Sequence, residues 1–386
     1  MKIKRNIFFM GLLFLIILIS YLSFEIHLYE KYYKMIQMTI FSLILICFLY
    51  MIEEDKMIKL YIKNIKRNKS ILLLSMIMSI TMLINGLYNY KITLFNCITV
   101  FSFTFNMVFF YILLPVKLYE SENNIERLIK FITIISTILS IISIIIYLRG
   151  SFLAYKLFYN RSSSIFFDPN FFAVLAAAPI FINIESNKKW IISSISLFGV
   201  FTAGSRGTLI SVICTLVLYY TLFFKTKPIR KMLIVIVVLC VLICSISYLL
   251  VIDFFRISQG SNGRIEMLKY AIELIHNKPI LGYGYATIEN MLNEADFTNS
   301  STHNSIADFT ISFGLIATIL YLYIIIKSIY SGIKNNNSWN IVTYAILLII
   351  NMNTIVYSFG GLGITSMLFT MFLGLAAYRK EEKKYE

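Results

Sequence analysis

The chain has 386 residues, of which 58% are hydrophobic, 16% aromatic and only 14% charged, with a mean hydropathy of +0.77. This composition excludes a soluble globular domain and gives a polytopic all-α membrane protein, one integral membrane domain over residues 1–386. The formal net charge of +15 does not point to nucleic acid, because the basic residues lie in short clusters between apolar runs, where membrane topology accounts for them.

A membrane-spanning helix needs about 20 mostly apolar residues, and the chain offers about twelve such runs in order. The first, Ile7–Ser23, has no small-residue cleavage site after it and reads as a retained helix with Met1 kept. Met35–Ile52, Ser70–Tyr88, Ile92–Leu118 and Leu128–Leu148 follow. Asn170–Ile184 and Trp190–Ala203 are short enough to be re-entrant, and Thr208–Phe224, Met232–Ile252, Ser305–Ile326, Ile341–Tyr357 and Leu362–Tyr378 complete the set. Counted from a cytoplasmic N-terminus, the inside segments hold 24 of the 35 Lys and Arg residues, so the positive-inside rule puts both termini in the cytoplasm. Of those 24, 19 are Lys, whereas Arg supplies five of the 11 on the outside, and arginine in an external loop asks for a reason other than topology. Cys47, Cys97, Cys214, Cys240 and Cys244 all fall inside apolar runs without metal-site or disulfide spacing, and read as small packing residues.

Two external segments are long, Arg149–Pro169 and Asp253–Asn304, the latter joining the ninth and tenth runs. Within it Ile265, Leu268, Ile272 and Ile275 recur at helical spacing, with Glu266, Lys269 and Glu273 on other faces. That pattern predicts an amphipathic helix that lies on the membrane or caps the bundle. The stretch "PILGYGY" then stops it, with Gly282 and Gly284 permitting a tight turn.

Four places carry candidate chemistry. "AGSRGTL" sets Arg206 at the outer junction of two apolar runs among small residues. A guanidinium there either grips phosphate through two parallel hydrogen bonds or snorkels to the interface. Arg264 in "NGRIEML" opens the external helix, where free backbone amides favour an anion, although a solvated arginine suits the same place. Arg161, in "NRSSSIFFDPNFF", is a third cation, followed by Asp168, Pro169 and Asn170 at a helix start. His303, in "STHNSIADF", precedes the tenth run. The positive end of that helix disfavours imidazolium and leaves a neutral ring suited to a general base, the alternative being an interfacial histidine bonded to a loop carbonyl. No predicted span has a carboxylate near its middle, which counts against a proton-coupled transporter.

The ordered set "RSSSIFFDPN", "TAGSRGTLISV", "GRIEMLKYAIELIHNKPILGYG" and "THNSIADFTISFGLIATIL" resembles the O-antigen ligase and polymerase (Wzy-like) superfamily of bacterial surface-polysaccharide assembly. The resemblance covers roughly Arg161–Leu320 and rests on order, spacing and a shared external side. It implies a fold like that of the GT-C membrane glycosyltransferases and a glycan donor carried on undecaprenyl diphosphate, with no metal or nucleotide cofactor. It also implies that Arg206 and Arg264 hold the donor diphosphate while His303 stands at the reacting centre; Arg161, from its own segment, is a third candidate for the diphosphate, and Asn170 and Asn304 are candidate supporting residues. Polymerisation of lipid-linked repeat units on the outer face of the cytoplasmic membrane is the expected reaction, with transfer to another acceptor as a ligase, or flipping of the same lipid-linked sugar, as alternatives. Expected partners are membrane lipid, the lipid-linked oligosaccharide, and chain-length regulator and flippase proteins.

Overall fold

The structure, a computed structural model, describes residues 2–23, 29–52, 55–88, 94–152, 155–157, 160–166, 168–184, 189–223, 264–284, 288–297, 301–335, 339–353, 355–356 and 359–379. Fifteen α-helices cover most of them. They are α1 (Lys2–Ser23), α2 (Tyr29–Ile52), α3 (Asp55–Arg67), α4 (Lys69–Tyr88), α5 (Leu94–Met107), α6 (Leu114–Leu118), α7 (Glu122–Arg149), α8 (Pro169–Ile182), α9 (Trp190–Ala203), α10 (Arg206–Phe223), α11 (Arg264–Asn277), α12 (Ile288–Glu294), α13 (Ser305–Lys334), α14 (Trp339–Ile350) and α15 (Ile364–Ala377). A buried π-helical turn, Val108–Leu113, joins α5 to α6. The one departure from all-α among the described residues is a two-stranded antiparallel ribbon, Ser151–Phe152 with Tyr155–Lys156.

Eleven of the twelve expected runs are helices here, and the other, Met232–Ile252, lies outside the described residues. Their lengths do not by themselves confirm twelve plain spans. Among the described residues four stretches are long and apolar enough to cross a membrane: Met35–Ile52, Phe101–Leu118, Asn123–Arg149 and Ser305–Lys334. The pair Met57–Arg67 and Lys69–Ile84, bent by 72°, makes a fifth if it counts as one. Six others are apolar but shorter, among them Pro169–Ile182 and Ile364–Ala377. At about 1.5 Å per residue the 14-residue helices among them, α8, α9 and α15, fall short of the roughly 30 Å of hydrocarbon in a bilayer. Packing within the bundle, not individual length, keeps them there. Every residue from Ile364 to Ala376 of α15 is buried, as is almost the whole of α8.

The outer helices reverse the pattern of a water-soluble protein. Leu49 on α2, Met76 on α4, Ile138 on α7, Phe198 on α9 and Ile319 on α13 are all exposed. Contiguous apolar surface on this scale suits a lipid solvent. Inside, small polar residues hold helices together: Ser143 and Thr202 share a 2.8 Å hydrogen bond between α7 and α9, and Tyr111 and Ser328 share one of 2.6 Å. With lipid outside there is little hydrophobic drive between helices, so close packing and such bonds carry the association.

Contacts sort the helix termini into two ends. At one end Asn6 of α1 meets Asn124 of α7, Tyr119 stacks on Tyr378, and the Lys327 ammonium reaches the Arg67 carbonyl. At the other, the start of α8, the α9–α10 turn, the end of α14 and the start of α13 come together.

Helix α13 was expected to be one continuous span, and it is not. Gly314 has φ 79° and ψ 173°, which breaks the helix nine residues after its start. The 20 residues from Leu315 to Lys334 would cross about 30 Å on their own, so Ser305–Phe313 is a separate half-helix at the outer end.

Candidate functional site

The site is built on two starts of helices and one turn between them. At the first, Asp168 caps α8 by accepting from the Asn170 backbone N–H at 2.7 Å, and Pro169 occupies the first helical turn, where no amide is missed. Asn170 is thereby fixed with its Oδ1 aimed at two donors, Arg161 Nη2 at 3.0 Å and Ser205 Oγ at 2.9 Å. Arg161 Nε also donates to the Ala203 carbonyl at 2.7 Å, and the Ser162 N–H donates to the Thr202 carbonyl at 2.9 Å. Through these bonds the external segment before α8 is tied to the α9–α10 turn, the "AGSR" of the sequence. Arg161 and Asn170 are thus brought beside Arg206. The Arg161 guanidinium spends two of its N–H groups holding that turn in place, a bracing role that the sequence did not reveal.

Arg206 is the first residue of α10 and half-exposed. Its position combines a guanidinium with the unsatisfied amides of a helix start, a pairing that favours an anion. Thr208, one turn on, is buried and donates to Asn351 Oδ1 at 3.4 Å.

The second start is that of α13. Asn304 caps it, its Oδ1 accepting from the N–H groups of Ile306 and Ala307, both at 3.0 Å. His303, just before, has φ 57°, a left-handed conformation that few residues other than glycine adopt. The conformation is held from both sides. Asn304 is fixed by its cap, and Thr302 is fixed by Asp308, which accepts from the Thr302 N–H at 3.0 Å and from its hydroxyl at 2.5 Å. Asp308 is the buried clamp on the loop that presents His303.

Between the two starts lies a 3₁₀ turn, Asn351–Asn353, which the sequence reading placed inside the apolar run Ile341–Tyr357. Asn351 takes the bond from Thr208, Asn353 Oδ1 accepts from Asn304 Nδ2 at 3.4 Å, and the Ile355 carbonyl accepts from Ser305 Oγ at 2.6 Å. The turn is the bridge between the Arg206 and His303 sides. Its signal was present in "NMNT", a cluster of polar residues interrupting an apolar run.

Arg264 is the first residue of α11, as expected for an anion site at a helix start, and its side chain lies outside the described residues. The packing of α11 shows which side meets the bundle. Met267, Ala271 and Leu274 are the buried side, against Ala307 and Ile311 of α13. The periodic residues Ile265, Leu268 and Ile272 point outward, 56%, 43% and 60% exposed. The helix therefore caps the bundle with one side and leaves a second apolar side uncovered.

Beyond α11, "PILGYG" fills the break in α13. The N–H groups of Tyr283 and Gly284 donate to the carbonyls of Ile311 and Ser312 at 2.7 and 3.0 Å, and the Leu315 N–H donates to the Pro279 carbonyl at 2.7 Å. These are the backbone groups that the break would otherwise strand in a dry environment. The approach is so close that a Cβ on Gly314 would overlap the Ile280 carbonyl oxygen, and one on Gly282 the Ile311 carbonyl oxygen. Gly282 and Gly284 have positive φ, as the turn expectation required. The segment that begins with Arg264 is in this way fastened to the half-helix that follows His303.

Comparison with curated proteins gives no match. Residues 191–322 match the family model described as O-antigen ligase, a stretch that includes Arg206, Arg264, His303 and Asn304 but neither Arg161 and Asn170 nor the 351–353 turn. Over that stretch, about a third of its length, the chain is similar to the O-antigen ligase family.

Proposed function

We propose that this protein polymerises oligosaccharide repeat units carried on a lipid diphosphate, undecaprenyl diphosphate by family analogy, at the outer face of the cytoplasmic membrane, without a metal ion. The observation that carries this reading is the convergence of four separate segments at one end of the bundle. The Arg161–Asn170 brace, the Arg206 turn, the Asn351–Asn353 bridge and the His303 loop are connected by hydrogen bonds. Such an end offers cations for a diphosphate on one side and a nitrogen base on the other.

In the proposed reaction an acceptor hydroxyl attacks the anomeric carbon of the donor glycan, the bond from that carbon to the diphosphate oxygen breaks, and the lipid diphosphate leaves. Arg206 and Arg264 neutralise charge as it grows on the leaving diphosphate, an electrostatic contribution that is strongest in a partly dry cleft. His303 takes the proton of the attacking hydroxyl. Attack from the side opposite the leaving group inverts the anomeric centre. Arg161 keeps the Arg206 turn in register.

The description of the matched family favours a second reading, transfer of the finished glycan to a different acceptor. One experiment separates the two: purified protein in liposomes is given lipid-linked repeat units alone. Polymer formed without any other acceptor supports the polymerase, whereas product only after an added acceptor supports the ligase. Arg206→Lys keeps the charge but loses the two-pronged grip, and is expected to remove most of the product in either case. Normal product from that variant would take Arg206 out of the site.

A further inference from the structure

The most strongly charged surface of the described residues lies at the other end of the bundle, on α3. This helix is bent from α4 by 72°. Since α4 runs across the bundle, α3 lies near the plane of the membrane. At 100° per residue it has three sides. Met57, Tyr61 and Asn64 are buried, and Asn64 Nδ2 donates at 2.7 Å to the Ile112 carbonyl in the π-helical turn, where the ordinary helical bonding is interrupted. A second side carries Ile58, Ile62 and Ile65, of which Ile62 is 47% exposed. The third carries Lys59, Lys63, Lys66 and Arg67, all exposed.

Membrane topology alone does not account for that third side. The positive-inside rule depends on how many Lys and Arg residues a segment holds, not on their spacing. Here the four recur at intervals that set them along one side, and after Asp55 at its first position α3 contains no Asp or Glu. A helix meant only for water would mix signs. The depth is right for head groups as well. Lys327 of α13 reaches the Arg67 carbonyl at 3.3 Å and lies 5.9 Å from the Tyr323 ring centroid, and Lys334 lies 5.8 Å from that of Tyr330. Exposed Tyr323 and Tyr330 with snorkelling lysines mark a membrane–water boundary.

We propose that α3 is a docking strip for the phosphate head groups of anionic lipids in the leaflet on which it lies, with Ile62 dipping toward the acyl chains and the four cations engaging the phosphates. The proposal is independent of the reaction carried out at the opposite end.

The test uses the full chain in mixed phosphatidylcholine and phosphatidylglycerol vesicles, with spin-labelled lipids reporting which species surrounds the protein. The wild type is expected to prefer phosphatidylglycerol by on the order of fivefold at low salt, less as salt is added. Lys59→Gln, Lys63→Gln, Lys66→Gln and Arg67→Gln together should bring the ratio near one, with single changes lowering it stepwise. Arginine at the three lysine positions should retain the preference, and Lys269→Gln with Lys278→Gln at the other end should leave it unchanged. A wild type without the preference, or a fourfold glutamine variant that keeps it, overturns the proposal. So does loss in the arginine variant, because charge would then not be the cause.

Discussion

Helices α3 and α11 each turn one side to the protein, a second, apolar side outward and a third, charged side away from both. They sit at opposite ends of α13: α11 packs on its first half-helix, and α3 meets it where Lys327 reaches Arg67. Their charged sides differ, cationic on α3 apart from Asp55 at its first position but Glu266, Lys269 and Glu273 on α11. Their attachments differ more. A single side-chain bond, Asn64 to Ile112, ties α3 to the π-helical turn, whereas the segment after α11 enters the broken backbone of α13 through three main-chain bonds. Two helices of similar amphipathic design are thus coupled to the bundle with very different stiffness. Stiff coupling belongs where two functional groups must keep a fixed separation, and loose, charged contact is enough for anchorage.

The comparison fails if disturbing the α3 end harms glycosyl transfer as much as disturbing the α11 end. The largest effect is expected at His303. His303→Asn is the informative change, since asparagine tolerates the left-handed backbone and the loop keeps its shape. Rate per molecule should fall about 10²- to 10⁴-fold, the usual worth of a positioned acid–base group, while donor binding persists. His276→Asn, exposed at the end of α11, should be nearly silent. Equal loss in both variants would transfer the effect from chemistry to the external segment as a whole.

A smaller but substantial loss is expected from Gly314→Ala. The added methyl overlaps the Ile280 carbonyl oxygen and the residue must hold φ 79°, so the docked segment has to withdraw. Destabilisation of roughly 1–3 kcal/mol should appear as a lower melting temperature. If Arg264 and His303 act on one substrate, turnover should also fall in the molecules that remain folded, and donor affinity with it. A variant that melts earlier but turns over normally would show that the latch is structural only.

Much of this was legible in the sequence and some was not, for physical reasons. Apolar runs announce helices because lipid leaves the backbone no alternative, so the described runs appear where expected. A lone glycine in such a run carries no mark of a break. Gly314 becomes one only because a segment some thirty positions earlier supplies the missing hydrogen bonds, a tertiary fact. The side of α11 that meets the bundle was not legible, because Ala271 and Met267 are weak periodic signals beside Ile265, Leu268 and Ile272, which are left outside. The lysines of α3 were taken as a topology count, which hid their spacing. At the site, the arginines, Asn170, Asn304 and His303 stood out by residue type and position, while Asp308 and Asn351–Asn353 act through bonds that no local pattern predicts.

The smallest effect on chemistry is expected from Asn64→Ala. Asn64 is 5% exposed and its amide satisfies the Ile112 carbonyl, which lies in the π-helical turn. Removing the donor leaves a buried carbonyl unpaired, a cost of about 1–3 kcal/mol, and frees α3 from the turn. Stability should fall accordingly, seen as earlier thermal unfolding in detergent. Glycosyl transfer per folded molecule should stay within about twofold, since nothing in the loose coupling of α3 transmits strain along α13 to His303; the rate change for such a factor is under 1 kcal/mol. Asn64→Asp is the companion change, because it keeps the size while putting an acceptor against an acceptor, and should destabilise more. If either variant instead lost activity in proportion to the His303 change while remaining folded, the two ends of α13 would be mechanically coupled, and the contrast between a stiff helix for chemistry and a loose one for anchorage would have to be abandoned.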